Sequence, residues 1–312
     1  MLNFTPILRH YFTHRAKQVE ATYSDVEKLQ RRQLSWLLSR GAKTLYGQSH
    51  SFDTLRSYDD YAHRVPTAPY PTLRPLIMRM VNGEKSILWP GRCTNFAQSS
   101  GTSDGKSKYI PVTPDSFSSN HYRGGSDVVS FYLRAYPDSR IFSGKAFILG
   151  GSFANELDIP KGVCVGDLSA NLIDHINPAA NLVRIPSKQV ALMADWTRKL
   201  PALIESSLHQ DVTNISGVPS WFLTVLKGVI ERAGATTIHD VWPHLEVFFH
   251  GGIAFGPYRE QYRHITDPSR MRYLETYNAS EGIYAVQNDH TDPAMLLLLD
   301  EGCLLYKSDA AD

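Results

Sequence analysis

Several apolar segments of this chain end directly in glycines or hydroxyl residues, and this pattern constrains the fold most. Residues 145–149 and 245–249 are typical of short buried strands, and they run into Gly-Gly-Ser and His-Gly-Gly respectively. Residues 272–277 form a similar strand that leads to a Ser-Glu pair. Residues 187–205 and 221–232 have helical periodicity. Strands that alternate with helices and end in such loops predict an α/β protein with its site at the strand ends.

The N-terminal part of the chain has a different pattern. Residues 6–40 are predicted to be helical, with an apolar stripe among charged residues and Gly41 as the stop. A loop-rich stretch should follow, because four prolines break regular structure there: Pro66, Pro69, Pro71 and Pro75.

A short run of hydroxyls, glycines and lysines, SSGTSDGKSK, spans residues 99–108. Glycines let successive N–H groups converge on an anion, and hydroxyls and ammonium groups complete a phosphate site. The run is one residue too short for a Walker loop. A flexible linker is the alternative, but strand-like flanks at residues 93–97 and 109–112 favour phosphate binding.

This run resembles the first signature of the acyl-adenylate-forming superfamily. Its form S-S-G-T-S-x-G-x-x-K is most similar to the auxin-responsive Gretchen Hagen family of acyl-acid amido synthetases. Residues 277–282, YNASEG, are similar to the Tyr-Gly-x-Thr-Glu element. Residues 250–252 resemble the glycine loop beside adenine, and residues 217–221 the Pro-x-Trp segment. The four motifs occur in the family's order.

The resemblance implies the large N-terminal domain of an adenylate-forming enzyme, an α/β fold with mixed sheets flanked by helices. It also implies ATP and Mg²⁺ as cofactors. The residues that it assigns to the β- and γ-phosphates are Ser99, Ser100, Gly101, Thr102, Ser103 and Lys108. Lys108 occupies the family's lysine position, so Lys106 is expected to be a solvated surface charge.

Other nucleotide contacts follow from the same resemblance. Glu281 is the expected Mg²⁺ ligand, since Mg²⁺ prefers carboxylate and phosphate oxygens. Ser280 should lie near the α-phosphate and Tyr277 should stack on adenine or ribose. Gly251 and Gly252 should let the backbone approach the base.

The sequence defines the binding site of the carboxylic acid less well than the nucleotide site. Five residues could line an apolar acid pocket or could equally be core: Trp221, Phe222, Val225, Phe255 and Tyr258. His121 and Arg123 are candidates for the acid's carboxylate, and His250 for the site or for a structural role at its strand end.

Composition excludes several classes of partner. The chain has 312 residues, 32 basic and 31 acidic, so no charge-driven binding to nucleic acid or to a membrane surface is expected. Three scattered cysteines favour a reducing, cytoplasmic compartment. The longest apolar run, residues 295–299, is too short to span a bilayer.

We interpret residues 1–300 as a truncated large adenylation domain. Residues 301–312 are predicted to be a non-native tail, because residues 303–312 resemble a translated library adapter. The family's small C-terminal domain with its catalytic lysine is not found in the sequence, so the resemblance leaves the catalytic residues of this chain unknown.

The predicted reaction joins a small carboxylic acid to AMP and then transfers the acyl group to an amino acid's amine. Transfer to a thiol, as in acyl-CoA synthetases, is the alternative within the same superfamily. A nucleotide-binding module without turnover is the alternative from another class.

Overall fold

The structure is a computed structural model that describes residues 3–99, 107–289 and 291–305. Its helices are α1 (Thr5–Ala21), α2 (Val26–Gly41), α3 (Leu45–Ser49), α4 (Tyr58–Arg64), α5 (Tyr70–Val81), α6 (Pro114–Ser116), α7 (Tyr122–Ala135), α8 (Leu168–His175), α9 (Lys188–Ala191), α10 (Trp196–Ser207), α11 (Pro219–Ala233), α12 (Ile238–Val241) and α13 (Arg259–Ile265). Its strands are β1 (Asn95–Ser99), β2 (Lys108–Pro111), β3 (Lys145–Ile148), β4 (Cys164–Gly166), β5 (Arg184–Ile185), β6 (Val212–Gly217), β7 (Val247–Gly251), β8 (Arg272–Ala279), β9 (Gly282–Val286) and β10 (Leu296–Leu297).

The predicted N-terminal helix is two helices. A 3₁₀ turn at Thr22–Asp25 separates α1 from α2, because the turn's polar side chains favour helix starts over helix interiors. The Asp25 carboxylate caps α2 by accepting a hydrogen bond from Lys28 N at 3.1 Å. α2 ends at Gly41, as predicted.

The proline-rich stretch is not the expected loop throughout. Helix α5 begins at Tyr70 with Pro71 in its first turn, where no backbone N–H is needed. Pro75 lies inside the helix. Burial of Ile77 and Met80 against the first sheet offsets the missing hydrogen bond. Further along, the predicted helical segment 187–205 divides into α9 and α10.

Two sheets organise the described residues. In the smaller sheet β1 lies between β2, antiparallel to it, and β4, parallel to it. The larger sheet has the order β10-β9-β8-β7-β6-β3-β5. Strands β5, β3, β6, β7 and β8 run parallel, and β9 and β10 continue the sheet antiparallel. The carboxyl ends of the parallel strands therefore meet at one edge.

Helices cover both faces of the larger sheet. Phe248 of β7 contacts Phe222 of α11, with 5.4 Å between ring centroids, in the core beneath α10 and α11. Its neighbours Val247 and Phe249 point to the opposite face and pack with α1 and α7, where Phe249 meets Tyr132 edge-on. This alternation is the two-residue period of a strand buried on both sides. The predicted α/β fold with mixed, helix-flanked sheets is confirmed.

A buried ion cluster, Arg15, Arg123, Asp127, Asp300 and Glu301, fastens the segment after β10 to α1 and α7. Arg15 of α1 donates two hydrogen bonds of 2.7 Å to Asp127 of α7 and also contacts Asp300 and Glu301. Arg123 of α7 pairs with Asp300 and Glu301 as well. The side chains of Asp127 and Glu301 are 0% and 1% exposed. Arg123, expected to be free for a substrate carboxylate, is therefore engaged within the fold.

This cluster predicts a pH dependence of stability. Burial, and then the nearby Asp127 carboxylate, raises the pKa of Glu301 to about 9 from an ordinary 4.5. Between these values the folded protein holds a proton that the unfolded chain releases, so stability falls as pH rises through the window. Glu301→Gln, neutral at every pH, should unfold at a higher temperature than the parent at pH 8 and at a similar temperature near pH 4.5.

Thermal denaturation of both proteins at the two pH values measures this difference. Glu231→Gln is the control, because Glu231 is exposed on α11 and makes no ion pair among the described residues. An effect of Glu301→Gln that is equal at both pH values would contradict the raised pKa.

The predicted tail falls partly within the described residues. Leu304 packs against Leu34 and Leu38 of α2, and Leu305 N donates a 2.8 Å hydrogen bond to Gln30 Oε1. Residues 306–312 lie outside the described residues, and the domain boundary at residue 300 stays a prediction. None of the described helices is both long enough and apolar enough to cross a bilayer.

Candidate functional site

The glycine pair predicted to face adenine lies at the carboxyl end of β7. A Cβ on Gly251 would lie 2.3 Å from Asn278 Oδ1 and 2.5 Å from Thr276 O on β8, so no larger residue fits. Thr276 Oγ1 also donates to His250 O at 3.1 Å and fixes this approach of the strands. Gly252 has φ +81°, a left-handed conformation that favours glycine. Gly251 is therefore buried against β8, and the backbone is open to close approach at the exposed Gly252.

The predicted metal ligand lies in the turn that follows β8, the strand next to β7. Ser280 and Glu281 form the turn between β8 and β9. Glu281 is exposed, and its carboxylate has no hydrogen bond or ion pair with any described residue. Tyr277, 59% exposed, lies just before the turn. A free carboxylate four residues after an exposed aromatic ring fits the expected Mg²⁺ and nucleotide, because such an oxygen is a ligand that Mg²⁺ prefers.

The phosphate-loop motif connects two antiparallel strands. Ser99, the last residue of β1, pairs with Lys108, the first residue of β2. The ammonium group of Lys108 lies 5.8 Å from the ring centroid of Tyr70. The other predicted phosphate ligands, Ser100, Gly101, Thr102 and Ser103, lie outside the described residues, as does Lys106.

Three of the five candidate acid-pocket residues are core. Phe222, Val225 and Phe255 are at most 2% exposed in the cluster beneath α11, and Tyr258 packs against it. Trp221 is different, because 51% of it is exposed and its ring meets Trp196 edge-on at 4.7 Å. Trp221 is therefore the one of the five that a ligand could contact readily.

His121 and His250 are buried and uncharged. Burial lowers the pKa of each imidazole to about 4, and neither Nδ1 atom has a hydrogen-bond partner among the described residues. His250 stacks on Phe255 with 4.4 Å between ring centroids, which supports the structural role at its strand end. Neither side chain is suited to hold a carboxylate by charge at neutral pH.

Lys199 of α10 was not among the predicted site residues. Its ammonium group is buried and donates to Gly150 O at 2.6 Å and Gly151 O at 3.0 Å. Burial lowers its pKa. These contacts fix the glycine turn after β3, at the same edge as Gly251. A lysine in an amphipathic helix carries no sequence signal for such a contact.

A cavity of about 390 Å³ lies at the opposite edge, where the parallel strands begin. Its Glu246 carboxylate already accepts hydrogen bonds from Tyr132 and Ser139 and from Arg140 N. This cavity is separate from the strand ends that carry the predicted motifs.

Comparisons with known proteins agree with the motifs. The GH3 family N-terminal domain matches residues 15–271. The indole-3-acetic acid-amido synthetase GH3.6 of Arabidopsis thaliana is 33% identical over 95 residues, which are 30% of this chain and 16% of that protein. The 4-substituted benzoates-glutamate ligase GH3.12 of the same species is 33% identical over 96 residues, again 30% and 16%.

A solved structure gives the widest coverage among these relatives. The GH3.15 acyl acid amido synthetase superposes with a TM-score of 0.75 at 16% identity, over 92% of this chain and 60% of that chain. At this identity the likeness shows the fold. The chain spans less than two thirds of that relative's length.

Proposed function

The chain belongs to the GH3 family, and we propose that it is the nucleotide- and acid-binding part of an ATP-dependent acyl acid amido synthetase. A carboxylate oxygen of the acid would attack the α-phosphorus of ATP, forming an acyl–O–P bond as the bond to pyrophosphate breaks. The amine of an amino acid would then attack the acyl carbon, lose a proton and displace AMP. The names of two relatives, an indole-3-acetic acid-amido synthetase and a benzoates-glutamate ligase, support an aromatic acid and an amino acid as substrates.

The observation that carries this proposal is the edge of the sheet where the exposed Gly252 follows β7 and the free Glu281 carboxylate lies in the turn after the neighbouring strand β8. Gly252 would expose backbone to the adenine, while the buried Gly251 lets β7 lie close to β8. Tyr277 would stack on adenine or ribose. Ser280 would donate to the α-phosphate, and the loop from Ser99 to Lys108 would hold the β- and γ-phosphates. In-line positioning and charge neutralisation are what adenylation needs from a protein.

Glu281 would hold Mg²⁺, which neutralises phosphate charge when bound. We expect Glu281→Gln to make ATP binding nearly independent of Mg²⁺, because the amide keeps the shape but loses the charge. The free energy of unfolding should change by no more than about 0.5 kcal/mol, since the side chain is exposed and unpaired.

Calorimetric titration with ATP, in MgCl₂ and in EDTA, tests this prediction. Glu231→Gln, another exposed glutamate far along α11, should respond to Mg²⁺ like the parent. An equal gain from Mg²⁺ in the parent and in Glu281→Gln would remove Glu281 from the metal site.

The acceptor is tested separately, in the longest available form of the protein. We propose that acid-dependent pyrophosphate release is followed by a product that requires an amine. A product that requires a thiol would favour the acyl-CoA alternative, and absence of pyrophosphate release would favour a binding module.

A further inference from the structure

The segment between β2 and α7 contacts the start of β9, directly after the turn that carries Glu281. A π-helical turn, Phe117–His121, joins α6 to α7, and Tyr122 N donates to Phe117 O five residues earlier. Such wide turns carry an extra residue and occur often at functional sites. Asn120 lies in this turn and is 3% exposed.

Asn120 binds the backbone just after Glu281. Its Oδ1 accepts a 2.7 Å hydrogen bond from Ile283 N, and its Nδ2 contacts Ile283 O at 3.3 Å. Between these residues, Gly282 has no room for a side chain, because a Cβ there would lie 2.7 Å from Asn120 Oδ1. The Asn120 amide therefore fixes the start of β9, two residues after Glu281 in the chain.

The same amide also binds the segment after β10. Asn120 Nδ2 donates to Glu301 O at 2.9 Å and lies 3.6 Å from Cys303 Sγ. The Glu301 side chain is held by the buried ion cluster. One buried side chain thus contacts two segments that lie 163 and 181 residues further along the chain.

We propose that Asn120 is a positioning residue for Glu281, and that it ties the metal-binding turn to the segment 300–303. This inference rests on the proposed function, because Glu281 must hold Mg²⁺ for its position to matter. Asn120 does not touch nucleotide or metal. It acts through Ile283 N, which sets where the Ser280-Glu281 turn lies, and through Glu301 O, which holds the amide in place.

ATP titrations in MgCl₂ and in EDTA test the inference. Removing residues that orient a metal ligand commonly costs about 10–100-fold in metal affinity. We therefore expect Asn120→Ala to lower the enhancement of ATP affinity by Mg²⁺ by about tenfold or more, while ATP affinity in EDTA changes little. Asn214→Ala is the matched control, because Asn214 is also a buried asparagine bound to a carbonyl, Ile141 O, but lies in the first half of β6, away from the carboxyl end of the strand. It should leave the Mg²⁺ enhancement unchanged.

The parent protein separates the two hypotheses. If the parent shows no Mg²⁺ enhancement, the metal role in the proposed function fails and this inference fails with it. If the parent responds and Asn120→Ala responds equally, only the inference is overturned. Should Asn120→Ala not fold, Gly282→Ala displaces the same contact from the other side and must reduce the enhancement.

Cysteine labelling provides a readout that needs no nucleotide. Burial raises the pKa of the Cys303 thiol to about 11, so it should react slowly in the parent. We expect Asn120→Ala to release the segment and expose the thiol, which should increase the alkylation rate of Cys303 by iodoacetamide several-fold, measured by peptide mapping. This gain outweighs the loss of the Asn120 hydrogen bond, which in the parent lowers the pKa of the thiol. The buried Cys93 serves as the internal control. An unchanged Cys303 rate would overturn the link to the segment 300–303.

Discussion

Replacing Arg15 with alanine should lower the free energy of unfolding by about 3–5 kcal/mol. The variant leaves the fully buried Asp127 carboxylate without the guanidinium that donates two hydrogen bonds of 2.7 Å to it. It also removes contacts that hold Asp300 and Glu301 against α1. A buried charge that loses its partner is far more costly than an exposed one, because no water replaces the lost contacts. Urea denaturation followed by tryptophan fluorescence measures the change.

Arg31→Ala is the matched control for this variant. Arg31 pairs with Glu27 one helical turn away on α2, but the two side chains are 70% and 83% exposed. Such a pair contributes about 0.5 kcal/mol or less. Equal losses for the two arginine variants would mean that burial of the ion cluster does not control its contribution to stability.

The sequence predicted the parts of the fold that depend on neighbouring residues. Phe248 lies in an apolar run that ends in glycines. Such a run predicts a buried strand that is followed by a glycine loop. α2 ends at the predicted Gly41, and α11 is followed by Gly234 in the left-handed conformation that commonly ends helices. The strand predicted at residues 272–277 also placed the Ser280-Glu281 pair in a loop after a strand, where the structure has it.

Contacts between distant residues were beyond the reach of the sequence. Arg15 and Asp127 are separated by more than 100 residues, and the residues around each of them do not predict that its charge is buried. Arg123 was therefore considered free for a substrate, whereas it pairs with Asp300 and Glu301. The sequence did not predict the contacts of Asn120 either. They depend on a π-helical turn and on two backbone segments far along the chain.

Local rules also fail where tertiary packing outweighs them. Pro75 predicted a break, yet α5 continues through it because Ile77, Met80 and Val81 are buried on its inner face. Phe222 and Phe255 were compatible with both a ligand pocket and a core. Only the packed structure, which buries both against Phe248, decides for the core.

The phosphate loop carries the largest expected effect on ligand binding. Ser100→Ala combined with Lys108→Ala should weaken ATP binding by about a hundredfold or more, because hydrogen bonds to charged groups contribute about 1.5–3 kcal/mol each. Lys108 is partly buried at the start of β2, directly opposite Ser99, where the predicted loop rejoins the sheet. Calorimetric titration with ATP measures the loss, and unchanged affinity in the double variant would remove this loop from the nucleotide site.

The two lysines of this motif provide the internal control. Lys108 is the first residue of β2 and is expected to hold the family's lysine position, whereas Lys106 is expected to be a solvated charge. Lys108→Ala alone should therefore weaken ATP binding more than Lys106→Ala, although both remove one positive charge from the same short segment. Long-range attraction alone would make the two variants equal, so a clear difference reports direct contact with phosphate. The reverse order would mean that Lys106 is the phosphate ligand and that the motif is aligned two residues out of register.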